Sequence, residues 1–260
     1  MRKVLSKITS NVPGVFYFMK KIDILIHYVF KKQFEPEFLP LKALNGHIEN
    51  INIVDIGGNI GQSAIGFSIL FPKAHITSFE PNEMIEHYLA FCKKLIGDRF
   101  RYRMLGFSDQ AGSFKLFMPR RGKVLIFGEA TLDRSFLETP DVEERIGKFE
   151  VEECLVTVVP FDSLGLRPDI VKIDVQGHEL SVLQGMQKTI AENSPLFVIE
   201  CSYNDEEIQK LLREQGYEFY VTNKEFFLVP YGQFNAVNMY CLPVRVAKRD
   251  REVGALLRKN

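Results

Sequence analysis

Apolar positions recur along this chain with two periods. Between residues 15 and 32, Phe18, Ile22, Leu25 and Val29 fall at helical spacing, with Met19, Ile26 and Phe30 beside them. Lys20, Lys21, Asp23, His27 and Lys31 take most of the rest. This predicts an amphipathic helix. Its apolar stripe is expected against the core or a second subunit, and its basic flanks also suit an anionic membrane surface. Short apolar runs then alternate with helical segments. Strands are expected over 51–56, 74–79 and 100–107, with helices over 60–71 and 82–96 between them. Such alternation predicts parallel βαβ units and a doubly wound α/β sheet, whose ligand lies at the carboxyl ends of the strands where strand order switches.

A short hairpin strand over 113–118 follows. Residues 119–150 break the pattern, with mixed charge and the breakers Pro119, Gly122, Gly128, Pro140 and Gly147. A segment this long inside an α/β domain reads as a substrate cover or as a disordered excursion. Strands are expected again over 151–159 and 169–174, with Asp162 capping a short helix between them. A helix with the stripe Leu180, Leu183, Met186 and Ile190 comes next, then a strand over 195–199 ending at Glu200. A helix over 205–215 precedes closing strands over 217–222, 225–229 and 237–242 that include an antiparallel edge.

The chemistry-bearing stretch is Val54-Asp55-Ile56-Gly57-Gly58-Asn59-Ile60-Gly61, between the first strand and the first helix. Glycines there let backbone approach a ligand, and the helix N-terminus offers free N–H groups. Glu80 ends the next strand nineteen residues past Gly61. An acid so placed can accept both hydroxyls of a ribose. Asn82 suits either a helix cap or a ligand contact. Ser108 and Asp109, closing the third strand, suit an adenine edge or a turn before Gly112.

Composition narrows the partners. The 33 Lys and Arg residues balance 33 Asp and Glu, so no basic excess favours a nucleic-acid partner. The charge is uneven, however: residues 1–34 hold seven basic residues and one acid, and 242–260 hold six basic and two acidic. Cys92, Cys154, Cys201 and Cys241 form no CxxC pair, which disfavours a zinc knuckle or a disulfide framework. Reduced thiols in a cytoplasmic protein are expected. The N-terminus lacks the uninterrupted apolar region of a signal peptide.

Five stretches in order resemble the FkbM-type S-adenosylmethionine-dependent methyltransferases: residues 54–61, Ser78-Phe79-Glu80-Pro81-Asn82, Gly106-Phe107-Ser108-Asp109 before Gly112, Val171-Lys172-Ile173-Asp174-Val175-Gln176-Gly177-His178-Glu179 with Leu183-Gln184-Gly185, and the strands over 195–200 and 238–243. The resemblance implies the class I methyltransferase fold, a seven-stranded, mostly parallel sheet with helices on both faces. It implies S-adenosylmethionine as donor and a hydroxyl of a sugar or small polyhydroxylated metabolite as acceptor. Residues 50–243 form the implied domain, between an N-terminal helical extension over 1–49 and a basic tail over 244–260.

Donor contacts are expected from Asp55, Gly57, Asn59, Gly61, Glu80, Asn82, Ser108 and Asp109. Asp55 answers the cationic donor or caps the helix; Asn59 contacts the donor or shapes the turn. Asp174, at the end of its strand, is the expected base or metal ligand, His178 is the second candidate base, and Glu179 and Glu200 are nearby. Three converging carboxylates can hold a divalent cation, yet equally serve as caps and ion pairs, so no metal is predicted. Gln176 stands where many relatives carry glutamate, and a neutral amide is a poor base. Lys172, on a buried strand, can pair with a carboxylate. The alternatives are an NAD-dependent oxidoreductase and a non-catalytic nucleotide-binding module. Asp55 beside the glycine turn weighs against a pyrophosphate ligand.

Overall fold

The computed structural model describes residues 13–45, 47–48, 50–233, 236–244 and 249–257. Its centre is five parallel strands: β1 (Asn52–Ile56), β2 (His75–Phe79), β3 (Phe100–Arg103), β8 (Ile170–Ile173) and β9 (Leu196–Glu200). Three antiparallel strands extend one edge: β12 (Asn238–Leu242), β10 (Glu218–Thr222) and β11 (Leu228–Pro230). The order is β11-β10-β12-β9-β8-β1-β2-β3. The sheet therefore has eight strands rather than seven, the short edge strand β11 being the additional one. Chain order reverses at β1, whose neighbours are β2 and β8, and that switch point opens a crevice at the strand ends.

Burial on both faces explains the nearly continuous apolar strands. On one face Ile53, Ile76, Ile170 and Val198 pack under α2 (Gln62–Leu70) and α3 (Glu86–Ile96), through Ala64, Ile65, Phe67, Leu89 and Cys92. On the other, Val54, Ile56, Val171, Ile173 and Ile199 meet α5 (Glu179–Gln184), α6 (Gln187–Asn193) and α7 (Asp205–Glu214), through Val182, Leu183, Ile190, Ile208 and Leu212.

The structure departs from the hydrophobic pattern at several points. The strand expected over 100–107 breaks at Met104: β3 stays in the large sheet, while β4 (Gly106–Phe107) joins a separate sheet with β5 (Gly112–Arg121), β6 (Val124–Leu125) and β7 (Glu150–Val159), the short helix α4 (Pro140–Ile146) preceding β7. The 178–190 stripe is carried by two helices, broken at Gly185. A Cβ there would lie 2.2 Å from the Ser108 carbonyl oxygen, so glycine permits this backbone crossing. Asp162 caps not its own turn but α6, accepting from the Lys188 and Thr189 backbone N–H groups at 2.8 and 2.9 Å.

Both termini differ from expectation too. Within 244–260, residues 250–257 form α8 (Asp250–Leu257), which lies against the turn at Pro36–Leu44 with Val253, Ala255 and Leu256 buried. Residues 245–248 and 258–260, like 1–12, lie outside the described residues. The predicted N-terminal helix is α1 (Pro13–Val29), held on α2 and α3. It packs through the face opposite its apolar stripe. Ile24 is fully buried, the Tyr88 hydroxyl donates to the Tyr17 carbonyl at 2.9 Å, and Lys21 lies over the Tyr88 ring. Phe18, Met19, Leu25, Ile26, Val29 and Phe30 are exposed.

Candidate functional site

The crevice at the switch point is a cleft with about 590 Å³ of space between its walls, part of it open to solvent. Its floor is the ends of β1, β2 and β8: Ile56-Gly57, Phe79-Glu80 and Asp174 through Gln176. Leu105, Gly106 and Phe107 form one wall. The roof is Phe127 to Leu132, from the segment that broke the sequence pattern. Thr131 fixes it there: its backbone pairs with Phe117 at 2.8 and 3.0 Å, and its hydroxyl donates to the Gln176 carbonyl at 2.6 Å.

Backbone geometry shapes the floor. Gly57 has φ +78°, and a Cβ on it would stand 1.7 Å from the Asp174 carbonyl oxygen. No other residue fits where β1 and β8 end together. Asn59 takes the left-handed conformation (φ 44°), one that asparagine tolerates. Its N–H donates to Glu80 Oε2 at 2.9 Å, and the Asn82 N–H donates to Oε1 at the same distance. Burial pushes Glu80 up to about 7, against the pull of those N–H groups. Each oxygen keeps a second lone pair, and the residue lines the cleft. The buried Asn59 Oδ1 has no protein partner.

Asp174 is held by charge. Its Oδ2 accepts from Lys172 Nζ at 2.9 Å and its Oδ1 from Gln176 Nε2 at 2.8 Å. Burial alone would raise its pKa, but Lys172 wins and holds it below the ordinary range. Glu200 lies across the same amide, which donates to its Oε2 as well. Burial and the Asp174 charge push Glu200 up to about 10. The two carboxyls thus share the site as one anion and one acid. Glu200 gains a proton on folding at neutral pH. Its favourable contribution is complete below 4.5, its ordinary value, and is lost as pH rises toward 10. The urea midpoint contributed by this group falls across that window, and Glu200→Gln flattens the fall. Parallel pH profiles of the two proteins would assign the proton elsewhere.

The structure brings Gly57, Asn59, Glu80 and Asp174 to the cleft and leaves the other expected residues out. Asp55 is 0 % exposed. Strand alternation turns it away from Val54 and Ile56, into a row with its register partners Ser78 and Lys172. Ser78 Oγ donates to it at 2.6 Å, and Lys172 Nζ lies 3.8 Å away. Gly61 (φ +91°) serves packing, since a Cβ would sit 2.4 Å from Cys92 Sγ. Asn82 is a cap, accepting from the Met84 N–H at 3.1 Å. Ser108 is buried against His178, its Oγ 3.0 Å from Nε2, and donates to Asp109; neither serine nor aspartate lines the cleft. His178 therefore faces that pair, and burial lowers its pKa. Glu179 is fully buried, accepting from the Val175 and Gly177 N–H groups at 3.0–3.1 Å, so it ties down a loop and does not line the cleft. The three carboxylates do not converge: among the described residues no group of three His, Cys, Asp or Glu is arranged to hold a metal ion.

Sequence reasoning allows Lys172 a carboxylate partner, which Asp174 supplies, and sets Gln176 aside as a base; it does not foresee that both hold Asp174. A lysine inside the fully buried Ile170–Ile173 strand was the available signal. Gln176 occupies a left-handed position (φ 54°), which its neighbours do not reveal.

A family model for the methyltransferase FkbM domain matches residues 55–219. The chain belongs to the FkbM methyltransferase family. The match takes in the whole cleft floor, from Ile56 to Gln176. This FkbM chain is 28% identical over 245 residues to Methyltransferase sdnD of Sordaria araneosa, covering 80% of this chain and 90% of that one. It is 29% identical over 167 residues to the hexuronic acid methyltransferase AglP of Haloferax volcanii, covering 62% and 60% respectively. A solved FkbM methyltransferase from Methylobacillus flagellatus aligns with a TM-score of 0.46 at 15% identity, over 77% of this chain and 47% of that one.

Proposed function

We propose that this protein transfers a methyl group from S-adenosylmethionine to a hydroxyl of a sugar or other small polyhydroxylated metabolite. The observation that carries the reading is the charge of the cleft. Among its described lining residues are two carboxylates, Glu80 and Asp174, and no lysine or arginine. That suits a cationic donor and disfavours a dinucleotide pyrophosphate. The Gly57 and Gly58 N–H groups, which a pyrophosphate would need, both donate to the Phe79 carbonyl at 3.0 Å.

The residues present fit the donor. Glu80 offers free lone pairs to ribose hydroxyls, Asn59 Oδ1 lacks a partner, and Phe79, Leu105 and Phe107 supply apolar surface for a base. When bound, S-adenosylmethionine supplies an electrophilic methyl on a sulfonium. Asp174 accepts the acceptor hydroxyl's hydrogen bond and takes its proton as the oxygen attacks. Lys172 and Gln176 hold that carboxylate in place, and the roof at 127–132 covers the acceptor and excludes water. The hexuronic acid methyltransferase among the relatives supports a saccharide acceptor.

Isothermal titration tests the donor. S-adenosylmethionine is expected to bind, NADH not to bind, and Glu80→Gln to weaken donor binding about 10–100-fold through lost charge-assisted hydrogen bonds. NADH binding in place of S-adenosylmethionine overturns the reading. An acceptor screen with labelled donor, read as a mass gain of one methyl, names the substrate.

A further inference from the structure

The solvent-facing side of α1 is the wrong way round for a water-soluble surface. At 3.6 residues per turn, Leu25, Phe18, Val29, Ile22, Val15, Ile26 and Met19 are contiguous over about 120° of the helix, and Phe30, one residue past its end, makes an eighth position. Seven of them are exposed, Phe18 by 63 % and Phe30 by 73 %, and Ile22 is half-buried. The face carries no charge; Asp23 lies at its edge. Contiguous apolar surface of this kind marks an interaction site. The helix is not loose: Ile24, the Tyr17–Tyr88 hydrogen bond and Lys21 over the Tyr88 ring fix the opposite face to the body.

We infer that this face docks on an anionic lipid surface, with α1 lying in the plane of the headgroups. Two observations choose this occupant over a second copy of the chain. The apolar arc is wider than the narrow seam that one partner helix buries, and it matches a planar apolar boundary. The surrounding sequence is cationic: residues 1–34 carry seven basic residues against one acid, in a chain whose charges balance only as a whole, and Lys31 and Lys32 are exposed at the end of the helix. Two copies meeting here would bring like charges together, whereas acidic headgroups would neutralise them. Among the described residues no helix is long and apolar enough to cross a membrane, so the contact is a surface one. Docking also sets the cleft beside the lipid, because Tyr17 stacks on Phe127 of the cleft roof at 5.6 Å.

The test is flotation of the full chain with vesicles. Phosphatidylcholine vesicles containing phosphatidylglycerol are expected to carry the protein, pure phosphatidylcholine to carry much less, and added salt to release it. Phe18→Ser with Phe30→Ser, both at exposed positions, is expected to lower vesicle binding about tenfold or more through lost apolar burial, while circular dichroism stays unchanged. Lys31→Glu with Lys32→Glu is expected to abolish the preference for the anionic lipid. Absence of binding to either vesicle overturns the proposal, as does binding indifferent to both substitutions. Sedimentation showing a dimer that the phenylalanine substitutions dissociate assigns the face to a second copy and overturns it too.

Discussion

Asp174→Asn is expected to lower methyl transfer by about 10²–10⁴-fold, the usual worth of a positioned base, while donor affinity stays within a few-fold. Asparagine keeps the shape of the side chain and one acceptor oxygen, but it cannot take a proton. Nothing else lining the cleft replaces it. Glu80 has both oxygens on backbone N–H groups, and Gln176 is a neutral amide. Glu200 lies across the Gln176 amide and does not line the cleft. His178 faces Ser108 rather than the cleft. Because the effect falls on kcat and not on donor binding, it reads as an interaction made in the transition state. Titration with donor alone and turnover under saturating acceptor separate the two quantities. Undiminished turnover would place the base elsewhere, and a parallel loss of donor affinity would make Asp174 part of the donor's cradle. A protein that only binds nucleotide would show no turnover to lose.

The sequence carries this site unevenly, for physical reasons. Gly57 and Glu80 were legible because each sits at the end of a strand whose apolar run is plain, so topology alone brings them to the switch point. Asp174 was legible on the same grounds. Asp55 was misread because a strand end fixes position along the sheet but not the face, and one residue decides which side a carboxylate joins. Glu179 and Asn82 are polar residues at helix starts, where a cap and a ligand contact look alike in one dimension. The break of the third strand at Met104 depends on a second sheet whose partner, β7, lies some fifty residues on. The α1 stripe is legible as a stripe, but what covers it is not, since period reveals an apolar face and leaves core, second subunit and membrane open.

Lys172→Met should be the most destabilising single change at the site, costing about 3–5 kcal/mol by stranding buried carboxylates. The ammonium is 2 % exposed and answers Asp174 at 2.9 Å and Asp55 at 3.8 Å. Burial alone would lower its pKa, but those two carboxylates raise it, so it stays charged. Against a total of roughly 5–15 kcal/mol for a domain, such a loss leaves the variant near its folding limit. Urea unfolding measures it. Adding Asp55→Asn is expected to restore about 1 kcal/mol or more, because the amide needs no counter-charge where the carboxylate did. Strict additivity of the two changes would mean that they do not interact. A second consequence separates scaffold from chemistry. Lys172 is what holds Asp174 below the ordinary carboxylate range, so its removal raises the pKa of the base. The active, ionised form is then lost at a higher pH on acidification, and the acid limb of kcat/KM moves upward in whatever fraction of the variant remains folded. If stability falls and that limb does not move, the lysine supports the fold and leaves the proton transfer untouched.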